Sequence, residues 1–544
     1  MATYVNDLRL KEIATGDEAG TWGNSTNTNL ELIAEKFGTG SEALSDASTA
    51  TITMQDGTSD AFRSFSLTLT GSLSQACTVT LAPNTLSNVW VVQNSAGDTV
   101  TLTQGTGANV VIPNGGIKMI ATDGAGSGAA VTDVLDLTGG TGNLGLGSGS
   151  LGTAVTTATA NVAIGVNAGD ALTTGLRNTL VGDNSGGEVT IGSNNVAIGR
   201  NSLDAEVAGS LSVAVGTGTL TTQSFSTATD VYNTAVGHAA GNAVTTASRI
   251  VALGGLSGDA LTTGSRNSVI GYNALGADTT GERATALGYG ALQTQNFTTG
   301  TENYNTALGY NAGGSVTTGV QNTIVGALAG DGLQDADRNI AIGYQALTED
   351  DLGSRTVAIG AGAVFSQNYA TATDSHNVSI GDLSLFYNVT GVNNTFVGSA
   401  AGLGASGNSH SDNTGVGKSA LGAITTGVRN VAIGSLAGDA MTDAGSNVAI
   451  GYLSMTTNTS GSDNVAVGRG TLENFNVTTT TSTYNVAIGH EAGNDITTGV
   501  KNNLIGGLAG DALTTGDKNV AIGYLAQSAD TKGFQNVAIG TAAL

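Results

Sequence analysis

From Asn161 onward one short text returns at a nearly fixed distance: Asn, a β-branched or polar residue, usually Ala, then Ile, Val or Leu, then Gly. It closes on 22 glycines from Gly165 to Gly540; of the intervals between them sixteen have a length of 17, four of 21 and one of 19. A unit this short cannot enclose a core alone, so its apolar face has to be covered by the next copy. The period therefore predicts a β-solenoid of 22 coils stacked at ~4.8 Å, roughly 100 Å in all. Proline is absent after Pro113, as uninterrupted parallel ladders require.

Counting the Asn as zero, position +3 is always Ile, Val or Leu (Ile164, Val181, Ile198, on to Ile539) and is expected to form the core. Position +1 shares its face by the two-residue period of a strand, and +2, usually Ala, points the other way. The +2 face, with Leu180, Val269, Ile324, Phe396 and Leu504 among its alanines, is then an exposed stripe suited to close packing between chains. Apolar residues at +7 (Ala168, Ala240) and +11 (Leu172, Val244) suggest a return strand, giving two short strands and two turns per coil. Gly supplies the positive φ of a tight turn, and stacked Asn side chains bond along the ladder. Half of the 18 basic residues sit at +16, among them Arg177, Arg266 and Lys518, and acids recur at +9, as in Asp170, Asp259 and Asp511. Like charges one coil apart repel, so the basic column is expected to pair with acids within the coil or on a neighbouring chain.

The four long intervals each add an aromatic, Thr-rich loop: QSFSTATDVYN from Gln223, QNFTTGTENYN from Gln295, QNYATATDSHN from Gln367 and ENFNVTTTTSTYN from Glu473. The first three begin at an equal 72-residue spacing, so a four-coil unit has been duplicated. Each loop pairs a first ring (Phe225, Phe297, Tyr369, Phe475) with a second (Tyr232, Tyr304, His376, Tyr484). Two readings compete. The rings stack and plug the widened coil, or they form a row of weak glycan-contact sites acting by avidity.

The chain before Asn161 reads differently. Residues 1–40 hold one helix, expected over Asn29 to Phe37 with Ser25, Thr26 and Asn27 as capping candidates. Residues 41–138 alternate apolar and polar runs (FSLTLTG, CTVTLAP, VWVVQNSAG) between turn residues, as in a small antiparallel β domain. Residues 139–160 are a Gly-rich link carrying a degenerate first coil, Asn143 to Gly147, before the solenoid of 161–544.

Composition narrows the function. A net charge of −24 disfavours nucleic acid or an anionic membrane as the main partner. A single cysteine, Cys77, and four scattered histidines leave no metal cluster, no Ser-His or Cys-His constellation and no cofactor motif. Asp7, Arg9, Lys11 and Glu12 stand where an export signal needs an apolar core, and no stretch is long enough to cross a bilayer, so synthesis in a cytosol is expected. The acids Glu349, Asp350 and Asp351, or those at +9, are candidates for a polysaccharide-cleaving pair, but acids at turns are more often a solvated surface. The chain is expected not to be an enzyme.

Repeats such as NVAIGVNAGDALTTGLRN resemble the head domain of the YadA-type trimeric autotransporter adhesins over residues 161–544. The resemblance implies a left-handed parallel β-roll assembled as a homotrimer. The opening YVNDLRLKEIATGDEAGTWGNSTNTNLELIAEKF, with the β segment through IPNGGIKMIATDGAGSGAA, is similar to the N-terminal region of marine bacteriophage fibre proteins. Together they imply a virion fibre, on tail or capsid, held by residues 1–138 and meeting a host surface receptor or glycan. A separate tip adhesin on the C-terminal end is a further expectation, since the text stops at NVAIGTAAL within a coil. The alternatives are a bacterial cell-surface adhesin, a tailspike-like enzyme and an ice-binding solenoid with Thr arrays such as Thr262 and Thr514.

Overall fold

The computed structural model describes residues 3–16, 18–134, 142–152 and 155–544, in two compact units. One comprises Met1–Ser212 with Ser224–Asp230, the other Val213–Gln223 with Val231–Leu544.

In the first unit the helix runs Trp22–Lys36, seven residues earlier in onset than the sequence pattern suggests, and Thr21 precedes it. Ser25, Thr26 and Asn27 lie inside it, and Thr26 Oγ1 donates back to the Trp22 carbonyl at 3.0 Å. Its contact with the domain is narrow: Leu32 is buried, whereas Trp22, Leu30 and Phe37 are exposed. Lys36, in the last turn, donates to the Val89 carbonyl at 2.9 Å, and burial pushes its amine down to about 8.

The β region that follows is wound as well as folded back. Thr39–Leu44, Ser66–Gly71 and Ser87–Ser95 pair in parallel in one sheet; Thr49–Thr53, Cys77–Ala82 and Val100–Thr103 pair in parallel in another. The expected antiparallel pairing closes both, through Ile117–Asp123 and Val131–Asp133 in the first sheet and Val110–Ile112 in the second. Alternating side chains suit either arrangement. From Thr39–Leu44 to Val100–Thr103 each short connection crosses from one sheet to the other, and the later connections to Val110–Ile112 and Val131–Asp133 reverse within one. The core between the sheets holds Leu67, Leu69, Val79, Leu81, Trp90 and Leu102, and Phe62 stacks on Trp90 at 4.7 Å. Buried Arg63 donates to the carbonyls of Leu8, Gln55 and Thr58 and pairs with Asp60, which ties the N-terminal arm down. The expected boundary at residue 138 lies outside the described residues.

Coils begin in the same unit with the parallel strands Leu144–Leu146, Val162–Ile164, Thr179–Val181 and Val196–Ile198. The second unit continues the series with nineteen strands of three residues, Val213–Val215 to Val537–Ile539. The chain is therefore an all-β protein whose greater part is a parallel β-solenoid of about 23 turns, the degenerate coil included. The return segment is not a strand. Its backbone still bonds coil to coil, as in Thr425 N–H to the Thr442 carbonyl at 2.8 Å, with Thr425 Oγ1 on the same carbonyl at 3.0 Å.

The faces of the coil are the reverse of the expected ones. Position +2 is the core: Ala163, Ala197, Ala432 and Ala538 are buried, and so are Leu180, Val269, Ile324, Phe396 and Leu504. Position +3 points outward, with Ile270, Leu287 and Ile433 37%, 41% and 40% exposed. Thickness is the cause. Inside each coil the +2 side chain has to share a thin layer with +7, +8 and +11, and larger residues enter only where another is absent. Leu180 fills the space over Gly169 and Gly186, where an added Cβ would meet its methyls at 2.6 and 2.8 Å. Conversely, the coils with Leu203, Leu275 and Leu347 at +8 carry a polar +11 residue, Glu206, Asp278 and Asp350. In these coils the core conserves volume by exchange between the two positions.

Candidate functional site

The outer surface around the strands carries the features with chemistry to offer. It is built in columns, because stacking places equivalent positions one above another.

The long coils are held open by short extra strands, as where Gly281–Glu282 pairs with Thr301–Glu302 and Gly353–Ser354 with Thr373–Asp374. Their two rings separate. Phe475, Tyr369 and Phe297 are buried and Phe225 is half-buried, plugging the widened coil. Tyr369 Oη donates to the Gly391 carbonyl at 2.9 Å, and burial pushes its phenol far up. The second rings, Tyr232, Tyr304 and Tyr484, are 51%, 47% and 55% exposed, and His376 is exposed too. The expected stacking of first ring on second is thus corrected: the backbone at each second ring has positive φ (57° at Tyr232, 54° at Tyr484), which turns it outward. Of the eight candidate contact residues, the second rings form an accessible row, while Phe297, Tyr369 and Phe475 do not reach the surface.

Those second rings occupy the column of the +16 bases, immediately before each ladder Asn. Arg266 pairs with Glu282 at 3.0 Å, Arg283 with Glu302 at 2.8 Å and Arg355 with Asp374 at 3.2 Å. Glu302 and Asp374 come from the extra strands of long coils and Glu282 from the strand that pairs with one of them, not from position +9. Arg283 also lies over the Tyr304 ring at 5.5 Å, and Tyr304 Oη donates to Glu302 at 2.6 Å. That hydrogen bond, then Arg283, holds Glu302 below the usual carboxylate range. The +9 acids Asp259, Asp331, Asp439 and Asp511 are half-buried at turns, and desolvation raises each of them.

Glu349, Asp350 and Asp351 do not converge on a cleft. Glu349 is exposed, whereas Asp350 is buried, accepts from Gln367 Nε2 at 2.6 Å and from the Gly353 N–H at 3.0 Å, and is pushed up to about 6 by burial. Gln367 Oε1 in turn accepts from Asn377 Nδ2 at 2.8 Å, so the acid anchors a buried polar chain. Asp278, Gln295 and Asn305 repeat it. The sequence signal was available as the 72-residue recurrence of a polar +11. His410 is also buried, edge-on to Phe396 at 5.5 Å, with its imidazole lowered to about 4 by desolvation. Among the described residues no group of three or more His, Cys, Asp or Glu gathers to hold a metal, and no helix is long and apolar enough to cross a membrane.

Beside the second rings runs the apolar +3 column, and beyond it position +5, where Tyr272, Tyr289 and Tyr310 stack at 5.6 and 5.5 Å, each about half exposed. No protein-family model matches the sequence, and no curated protein is similar to it.

Proposed function

We propose that the chain is the subunit of a homotrimeric bacteriophage fibre, held to the virion through residues 1–138, with the solenoid projecting for recognition of a host surface. The observation that carries this reading is the outward +3 column. Ile, Val or Leu recurs there in every coil without a break, and a water-soluble monomer does not keep so long an apolar stripe wet. Three copies turned toward a common axis cover it. The left-handed winding and the number of subunits follow the family that the repeat resembles, and the attachment role follows the resemblance of the segment before the Gly-rich link. The exposed second rings, Tyr232, Tyr304, His376 and Tyr484, supply the surface for a receptor or glycan, repeated along each subunit so that weak contacts add through avidity.

Mass measurement of the purified chain tests the assembly, with three subunits expected at micromolar concentration and a stable monomer overturning it. Antibody labelling of intact particles tests the location: density along a fibre is expected, and unlabelled particles from a lysate rich in the protein reject a virion role.

A further inference from the structure

The apolar face has two edges, and their residues are matched. One edge is the residue before each ladder position, which is Asn in all but four coils; the other, six positions later, is the residue after each repeat Gly. Wherever both are charged in one coil the signs are opposite: Arg177 with Asp183, Asp412 with Lys418, Asp463 with Arg469, and His376, when protonated, with Asp382. The order of sign reverses between coils, yet complementarity persists. Where the second edge is an exposed tyrosine, the first is often a base, as in Arg266 with Tyr272, Arg338 with Tyr344 and Lys518 with Tyr524. Nothing within the chain calls for this. The two positions flank an extended strand, up to ~20 Å apart, and none of these couples forms an ion pair within the described residues; Arg469, for example, meets Glu491 of the next coil instead.

We infer that these edges dock on each other between copies, coil against equal coil, so that Arg177 meets Asp183 of the partner subunit and Asp412 meets Lys418 of the partner subunit. This rests on the homotrimer reading and adds the interface and its register. Rotation about an axis parallel to the stack brings the first edge of one subunit to the second edge of the next. Over six residues of a 17-residue coil that rises ~4.8 Å, the height difference is only ~1.7 Å, against ~3.1 Å for the neighbouring coil. Charge selects the same register. A shift of one coil one way sets Arg429 against Lys418 of the partner subunit and Arg249 against His238 of the partner subunit. The opposite shift sets Arg177 against Arg200 of the partner subunit and keeps Arg355 with Asp382 of the partner subunit as its one pair of permanent opposite charges. Exposed pairs of this kind add little affinity each, but like-charge encounters in wrong registers discriminate strongly. The apolar column would drive assembly and its charged borders would set alignment.

The test is a pair of cysteines, Asp412→Cys with Lys418→Cys, in the full chain; Cys77 is buried in the N-terminal core and does not compete. On oxidation the in-register interface closes a covalent ring of three chains, resolved on a denaturing gel and opened by thiol, whereas Asp412→Cys with Ser399→Cys, one coil out, gives none. Crosslinking by the shifted pair, or an intrachain disulfide in the first, overturns the register while leaving a trimer of unchanged native mass. A native monomer instead removes the homotrimer reading itself. As a check independent of cysteine, Asp412→Lys weakens assembly at least tenfold and adding Lys418→Asp restores it; a double variant as weak as the single one overturns the pairing.

Discussion

Asn178 and Asn195 are joined across a coil boundary: the Asn178 Oδ1 accepts the backbone N–H of Asn195 at 2.9 Å, while its Nδ2 donates to the Gly192 carbonyl at 2.9 Å. The same joint recurs from Asn413 through Asn464 without interruption. Every atom of the amide is used, in a site closed to water.

Asn430→Ala opens this joint in mid-ladder, leaving the Asn447 N–H and the Ala444 carbonyl buried without their partner. Each orphaned group costs ~1 to 3 kcal/mol, so a loss of ~2 to 6 kcal/mol is expected in denaturant unfolding, with faster hydrogen exchange at the Asn447 amide. Exposed Asn167→Ala leaves no buried group orphaned and should cost only the ~1 kcal/mol of placing alanine at a φ of +52°.

Gly434→Ala tests the turn that follows each strand. Its φ is +137°, and a Cβ there would meet the Gly451 carbonyl at 2.6 Å, backbone against backbone. Neither side can yield without parting two coils, so poor folding or a loss above ~3 kcal/mol is expected. Gly407→Ala, where an added Cβ meets nothing within 4 Å, is the comparison, with only the cost of its +79° φ to bear.

Two buried groups act against each other between pH 4 and 6.5. Asp350 is raised by burial to about 6, so the folded chain keeps a proton that the unfolded chain releases. Its contribution is full below the ordinary carboxylate pKa and is lost as pH rises through about 6. His410 is lowered by burial to about 4, so its contribution is present above the ordinary imidazole pKa and is lost as pH falls toward about 4. Asp350→Asn should therefore lower the slope of stability toward acid, and His410→Asn should raise it. Thermal melts at pH 4.5 and 7 check both signs; matching slopes in the two variants would refute the assignment.

The separated rings of the long loops give opposite outcomes. Phe475→Ala removes a fully buried ring and should cost ~3 to 5 kcal/mol. Replacing Tyr232, Tyr304, His376 and Tyr484 together by Ala should leave the melting temperature within a few degrees and lower adsorption to host cells at least tenfold. Unchanged adsorption would exclude these residues from the contact surface.

The repeat length told the architecture plainly, because a 17-residue period with Asn and Gly in fixed phase has few other solutions. Which side of the strand faced inward was not legible. The alternation of Ala163 with Val162 and Ile164 marks two faces without naming them, and the rule that bulk goes inside fails in a coil too thin to hold it. Positions +8 and +11 carried the answer in the trade of Gly169 and Leu172 for Leu203 and Glu206. The fate of the loop rings depended on a positive φ at Tyr232, which side-chain type does not disclose. In the N-terminal region, the runs around Leu67 and Val79 were correctly strands, but a four-residue connection such as 45–48 serves an arch between sheets as readily as a hairpin.

Because each joint of the Asn178 kind involves only adjacent coils, the number of coils is uncoupled from the stability of any one of them. Removing Thr234 to Asn305, one duplicated 72-residue unit, would join Asn233 to Thr306, the counterpart of Thr234, and create no junction foreign to the chain. Reach is thus an adjustable trait: recombination between copies of the unit can shorten or lengthen the molecule in fixed steps while its two ends, and whatever they hold, stay as they are.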